Sequence, residues 1–101
     1  MDVVTEQTFD WLYPIPVRDR FWDIVRRTLS DVFNHPATAA DELRREIEEN
    51  APVAEQILVY HDEPLNIAAD LASVKQISDA QLDAYRDLVG SDEPQSRGLP
   101  P

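Results

Sequence analysis

The chain of 101 residues contains no cysteine, which excludes disulfide bonds, thiol nucleophiles and cysteine-ligated zinc. Glycine occurs only at Gly90 and Gly98, so a strand-rich fold built on tight turns is disfavoured and a glycine-rich phosphate loop is ruled out. Positive charge is scarce. Nine Lys and Arg stand against twenty Asp and Glu, a net charge of −11. Gripping nucleic acid takes clustered cations to neutralise phosphates, and a polybasic membrane anchor takes the same, so neither role is expected. No apolar stretch approaches the roughly 20 residues that span a bilayer. Met1 leads into Asp2 without a basic or apolar signal region, and the expected location is cytoplasmic.

What is present suffices for one core. With 43% hydrophobic against 29% charged residues, global disorder is disfavoured, and the length suits a single domain. Six Arg stand against eight acids in residues 1–45, a balance of −2; three cations stand against twelve acids in residues 46–101, a balance of −9. The acidity therefore belongs to the second half. Aromatic residues are skewed the other way, since Phe9, Trp11, Tyr13, Phe21, Trp22 and Phe33 precede Tyr60 and Tyr85.

Proline punctuates the chain, and between prolines the apolar residues recur at helical spacing. The fold class expected is all-α: one domain over 1–90 with four to five short helices at about 17–34, 38–50, 53–60, 64–74 and 78–89. In the first, Phe21, Val25, Leu29 and Val32 form one stripe, and Pro36 after His35 is expected to stop it. Thr38 is placed to cap the second. Ile57 to Tyr60 is compatible with helix or strand; Pro52, Glu55 and Gln56 favour helix. Asp62 and Glu63 ahead of Pro64 suit a helix start, Ser78 with Gln81 matches a capping box, and Gly90 suits a helix stop. An irregular aromatic segment precedes the helices, in which Phe9, Trp11 and Tyr13 alternate with polar residues as an edge strand or an exposed anchor would. Residues 91–101, rich in Ser, Pro and charge, are expected to be a flexible tail.

Catalytic constellations do not emerge. His61, Asp62 and Glu63 are consecutive, so their side chains diverge, and a helix-start cap explains them better than a metal or proton-shuttle site. Glu42, Glu46 and Glu49 share a helical flank, but a solvated face accounts for that spacing. The pairs Arg26-Arg27 and Arg44-Arg45 each lie among acids at i±4, which suggests local ion pairs and not an anion site. Trp11, Tyr13 and Trp22 lack the basic groove that a base-stacking platform requires. No enzyme activity, cofactor or metal is expected.

The acids from Glu46 onward remain. Glu46, Glu48, Glu49, Glu55, Asp62 and Glu63 are the candidate protein-binding residues, on a surface that would attract a partner with a basic face. The same charge would equally serve as a coat that keeps a small domain dispersed.

The stretch EQILVYHDEPLNIAADLASVKQISDAQLDAYRDLV, Glu55 to Val89, resembles the helical core of small immunity proteins of bacterial polymorphic-toxin systems: a helix ending near a His and acidic pair, an alanine-rich helix, then a capped helix. The resemblance covers about a third of the chain. It implies an all-helical, nonenzymatic protein that neutralises a cognate toxin, often a basic nuclease. A second expectation from another class is an assembly module, whose aromatic N-terminal segment packs on a second copy or a larger host. The oligomeric state is open at this level.

Overall fold

Proline sets the helix boundaries here as much as apolar periodicity does. Residues 6–91 are described in a computed structural model of the chain. Their regular structure is entirely helical: α1 (Glu6–Leu12), α2 (Ile15–Arg27), α3 (Thr38–Asn50), α4 (Val53–His61), α5 (Pro64–Leu71) and α6 (Asp79–Ser91). The expected all-α class is the one observed, and the five expected helices are preceded by a sixth, α1. Apart from Ser91, which ends α6, the expected tail lies outside the described residues.

The first departure from expectation is at the N-terminal aromatics: Phe9 and Trp11 are helical, and Tyr13 follows the last residue of α1. Phe9 and Tyr13 are four apart and turn toward Tyr60, whereas Trp11, 200° from Phe9 on a helical wheel, faces outward. Pro14, extended at φ −63° and ψ 162°, then ends one helix and starts the next. Pro16 falls in the first turn of α2, where its missing N–H costs nothing.

At its far end α2 does not run α-helical to Asn34. Thr28–Val32 forms a π-helical turn, in which the Phe33 N–H donates to the Thr28 carbonyl at 3.1 Å and the buried Thr28 hydroxyl donates to the Ile24 carbonyl at 2.7 Å. The stop is Asn34, left-handed at φ 52°, with the His35 N–H closing on the Leu29 carbonyl at 2.8 Å. Pro36 comes after the helix has already ended. Similarly, α5 ends at Leu71 and not at Val74, because Ser73 is left-handed at φ 59°. The Val74 N–H donates to the Ala69 carbonyl and the Ser73 N–H to the Asp70 carbonyl, the paired bonds of a Schellman motif. Thr38 is the first helical residue of α3 and gives no side-chain cap. Gly90 is helical, without positive φ, and α6 passes through it.

Two apolar clusters share α2. Trp22, Val25 and Leu29 pack with Ala40 of α3 and Ala68 of α5, both alanines at 0% exposure, so the helices approach closely. Ile24, one residue round the helix, faces Leu65 of α5 and Tyr85 of α6, joined by Val32 and Phe33. Burying each large side chain contributes about 1.5–3 kcal/mol, which makes α2 the element on which the others are assembled. Two ion pairs fix α3 against it. Arg44 Nη2 meets Asp19 at 2.8 Å, and Arg26 meets Asp41; position rises along α2 as it falls along α3, so the two helices are antiparallel.

Candidate protein-binding surface

The six candidate acids are exposed but do not form one cluster. On α3, Glu46 and Glu49 continue the stripe begun by Glu42, spaced 4 and 3 residues apart and therefore on one outward face about 10 Å long. Glu48 lies off that stripe. Its carboxylate accepts from Arg44 Nε at 2.9 Å, and it lines a cleft with Ile15, Arg18, Arg44 and Val53.

Glu55 on α4 precedes Leu58, which is 68% exposed, by three residues, and Asp62, just past the end of α4, follows it by four. The run Ile57 to Tyr60 is helical, and this is what separates its members: Tyr60 and Val59 turn to the core while Leu58 turns to solvent. Sequence reading named Glu55 and Asp62 but missed Leu58, whose exposure follows only from which face of α4 is covered.

His61, Asp62 and Glu63 turn three ways. The His61 ring meets the edge of Tyr13 at 6.1 Å, Asp62 Oδ1 accepts from Asn66 Nδ2 at 2.9 Å, and Glu63 Oε2 accepts the Tyr85 hydroxyl at 2.9 Å. Glu63 is thus engaged in joining the start of α5 to α6. Burial raises the Tyr85 pKa, and the adjacent Glu63 carboxylate raises it further, so this hydroxyl stays protonated far above the ordinary tyrosine range. Among the described residues no three His, Asp or Glu side chains converge as metal ligands.

Arg18, Arg26 and Arg44 bridge helices in addition to the pairs that sequence spacing suggests, while Arg45 is exposed on α3. Asp23 with Arg27 at 3.1 Å and Arg44 with Glu48 are the expected i, i+4 pairs, but Asp41 turns to Arg26 of α2 instead of Arg45. Burial works against the charge on Arg44, and its hydrogen bonds to Glu48 and Asp19 more than offset this, leaving its pKa raised. Arg18 pairs with Asp10 at 3.0 Å and lies 4.8 Å from the centre of the Phe9 ring. Glu46, Glu49 and Glu55, in contrast, form no ion pair among the described residues.

Behind the acids is an aromatic cluster centred on Tyr60. Its ring stacks on Tyr13 at 5.3 Å and meets Phe21 edge-on at 5.1 Å, and its hydroxyl accepts the Trp22 indole N–H at 2.9 Å. Burial is the leading cause of a raised Tyr60 pKa. Trp22 is 2% exposed and Trp11 81%, so the two tryptophans and Tyr13 do not share a face on which bases could stack. No protein-family model, curated protein or solved structure matches the chain.

Proposed function

We propose that the chain is a noncatalytic protein-binding domain whose acidic α3–α4 surface occupies a basic face of another protein. An immunity protein or other inhibitor, the class that the Glu55–Val89 resemblance implies, is the specific form of this reading. One observation carries it: Glu46, Glu49 and Glu55 point outward without an ion pair among the described residues, while Arg18, Arg26 and Arg44 are taken up by carboxylates between helices. With Arg45 exposed among Glu42, Glu46 and Glu49, acids still outnumber cations on this side, so the field that reaches solvent is negative, and it would speed encounter with a basic partner while fixing its orientation. Leu58, bracketed by Glu55 and Asp62, adds an apolar contact within the acidic stripe.

The test is capture from a source lysate by the wild-type chain and by a triple variant, Glu46→Lys, Glu49→Lys and Glu55→Lys, each at about 0.1 and 1 M salt, where the Debye length falls from about 10 to 3 Å. A basic protein retained by the wild type at low salt, and lost both at high salt and with the variant, is expected. With that protein purified, the variant should slow association by tenfold or more. Capture indifferent to salt and to the three reversals would defeat the reading. Glu63 is left out of the variant because its reversal would also break the bond to Tyr85.

A further inference from the structure

Residues 11–17, WLYPIPV, carry no charge, and all but Tyr13 are exposed. Trp11 is 81% exposed, Ile15 60%, and Leu12 and Val17 47% each. They form an apolar corner where α1 meets α2, on a chain otherwise crowded with charge. Single exposed apolar side chains are ordinary on a protein surface, but several large ones together mark an interaction site.

The corner is held in place from both sides. Arg18 Nε donates to the Tyr13 carbonyl at 2.7 Å, its Nη2 pairs with Asp10 at 3.0 Å, and the guanidinium lies over the Phe9 ring. A single side chain thus ties the residue before the corner to the residue after it. On the inner side Tyr13 stacks on Tyr60. Such preorganisation lowers the ordering cost of binding, and an exposed tryptophan on a fixed backbone has the character of an interface anchor.

We infer that the corner Trp11–Val17 is the contact between two copies of this chain, in an isologous two-fold dimer. Charge selects the occupant. With a net charge of −11, two copies repel each other over most approaches. At the corner the flanking acids are held by arginines, Asp10 by Arg18, and Asp19 and Glu48 both by Arg44, so like-charged chains can touch there at lower electrostatic cost than at the acidic α3 face. A basic partner is drawn instead to Glu46, Glu49 and Glu55. The area suits a weak contact: Ile15 and Val17, two apart on α2, point to different sides, so one face takes up less than the roughly 500 Å² a copy that these side chains expose, and two copies together less than the about 1,000 Å² of a stable specific interface. A weak dimer follows.

This inference does not depend on the acidic-surface reading, and salt separates the two. Apolar association of like-charged chains tightens as salt screens their repulsion, whereas binding of acid to base loosens. The test is sedimentation equilibrium of the full chain over a concentration series at about 0.1 and 1 M salt, with acrylamide quenching of tryptophan fluorescence in parallel. The dimer dissociation constant should fall several-fold at high salt, and quenching, which reports the exposed Trp11 because Trp22 is buried, should decrease as dimer forms. Trp11→Ala and Ile15→Asp should each weaken the dimer tenfold or more with the thermal midpoint of the dilute, monomeric chain unchanged, since both side chains are outside the core. A monomer at every concentration overturns the inference, as does a dimer that salt loosens or that ignores both substitutions. A monomer whose Trp11 is already shielded from quencher overturns it too, by showing that the chain covers its own corner.

Discussion

Trp22 and Tyr60, 38 residues apart, are joined by a hydrogen bond of 2.9 Å from the indole N–H to the phenol oxygen. Trp22 belongs to the cluster that α2 shares with α3 and α5, while Tyr60 carries the ring contacts to Phe9, Tyr13 and Phe21. The bond therefore couples the helical core to the aromatic layer under α1 and α4.

Tyr60→Phe keeps the ring and removes the acceptor, leaving the Trp22 N–H at a site 2% exposed. Loss of an acceptor from a buried donor costs about 1–3 kcal/mol. Urea unfolding should register that loss, and a double-mutant cycle with Trp22→Phe should give a coupling of at least about 0.5 kcal/mol. Additive losses would show that the bond contributes nothing beyond the packing of its two rings.

Alkaline pH should weaken the fold through Tyr85. Its folded pKa is raised, by burial first and by the Glu63 carboxylate second, whereas the unfolded side chain titrates near 10. Below that value both states hold the proton and the contribution is complete. Above it the unfolded chain binds fewer protons, so stability falls by about 1.4 kcal/mol per pH unit for this one group. Tyr85→Phe should cost about 1 kcal/mol near neutral pH and flatten the alkaline decline by one proton's worth. Urea unfolding followed from about pH 8 to 12 checks this; parallel declines for wild type and variant would refute it.

Two helices end on left-handed residues that are not glycine, and the two should respond unequally. A left-handed conformation costs an L-residue roughly 1–2 kcal/mol, less for Asn, whose side chain tolerates it. Ser73→Gly should raise stability by about 1 kcal/mol, and Asn34→Gly by less, net of the greater entropy glycine gains on unfolding. Thermal unfolding of the two variants decides it; a larger gain at Asn34 would contradict the argument.

The start of α6 rests on a reciprocal pair: the Ser78 N–H donates to Gln81 Oε1 at 2.9 Å, and the Gln81 N–H donates to the Ser78 hydroxyl at 3.1 Å. Ser78→Ala should cost about 1 kcal/mol. Amide exchange in the first turn of α6 should quicken more than elsewhere in the chain. Uniform quickening would mean that the cap acts on global stability alone.

Local signals proved readable where their cause is local. The capping box at Ser78, the helix start at Pro64 and the span Thr38–Asn50 all depend on residues within one turn of each other. Helix ends were less legible. Asn34 and Ser73 stop their helices by adopting positive φ, and neither residue type requires that conformation as glycine would. At the N-terminus, Phe9, Trp11 and Tyr13 fit an alternating pattern as well as a helical one, and only the Tyr60 ring, far off in sequence, decides which of them face inward. Of the candidate acids, the Glu46 and Glu49 stripe was legible because helical spacing alone defines it. The bond from Tyr85 to Glu63, the bridges from Arg26 to Asp41 and Arg44 to Asp19, and the exposure of Leu58 all arise from how helices pack, which no short window of sequence records.

The π-helical turn makes the attachment of α6 depend on a count of residues. A π turn holds one residue more than the α turn it replaces, and each residue of an α-helix advances the chain by about 100°. Closing Thr28–Val32 as α-helix at its full length would swing Val32 and Phe33 by about 100° away from Leu65 and Tyr85, whereas deleting the exposed Ser30 would let the segment close as α-helix with both residues near their present phase. Trp22, Val25 and Leu29 keep their places against α3 and α5 either way, so the Ser30 deletion should leave α6 attached, while a further residue inserted after Ser30 should make proteolysis begin in α6 and spare the remainder. Small insertions and deletions are ordinarily absorbed by loops. Here a single added residue lies within a helix, and the wider turn absorbs it so that the second apolar cluster keeps its phase.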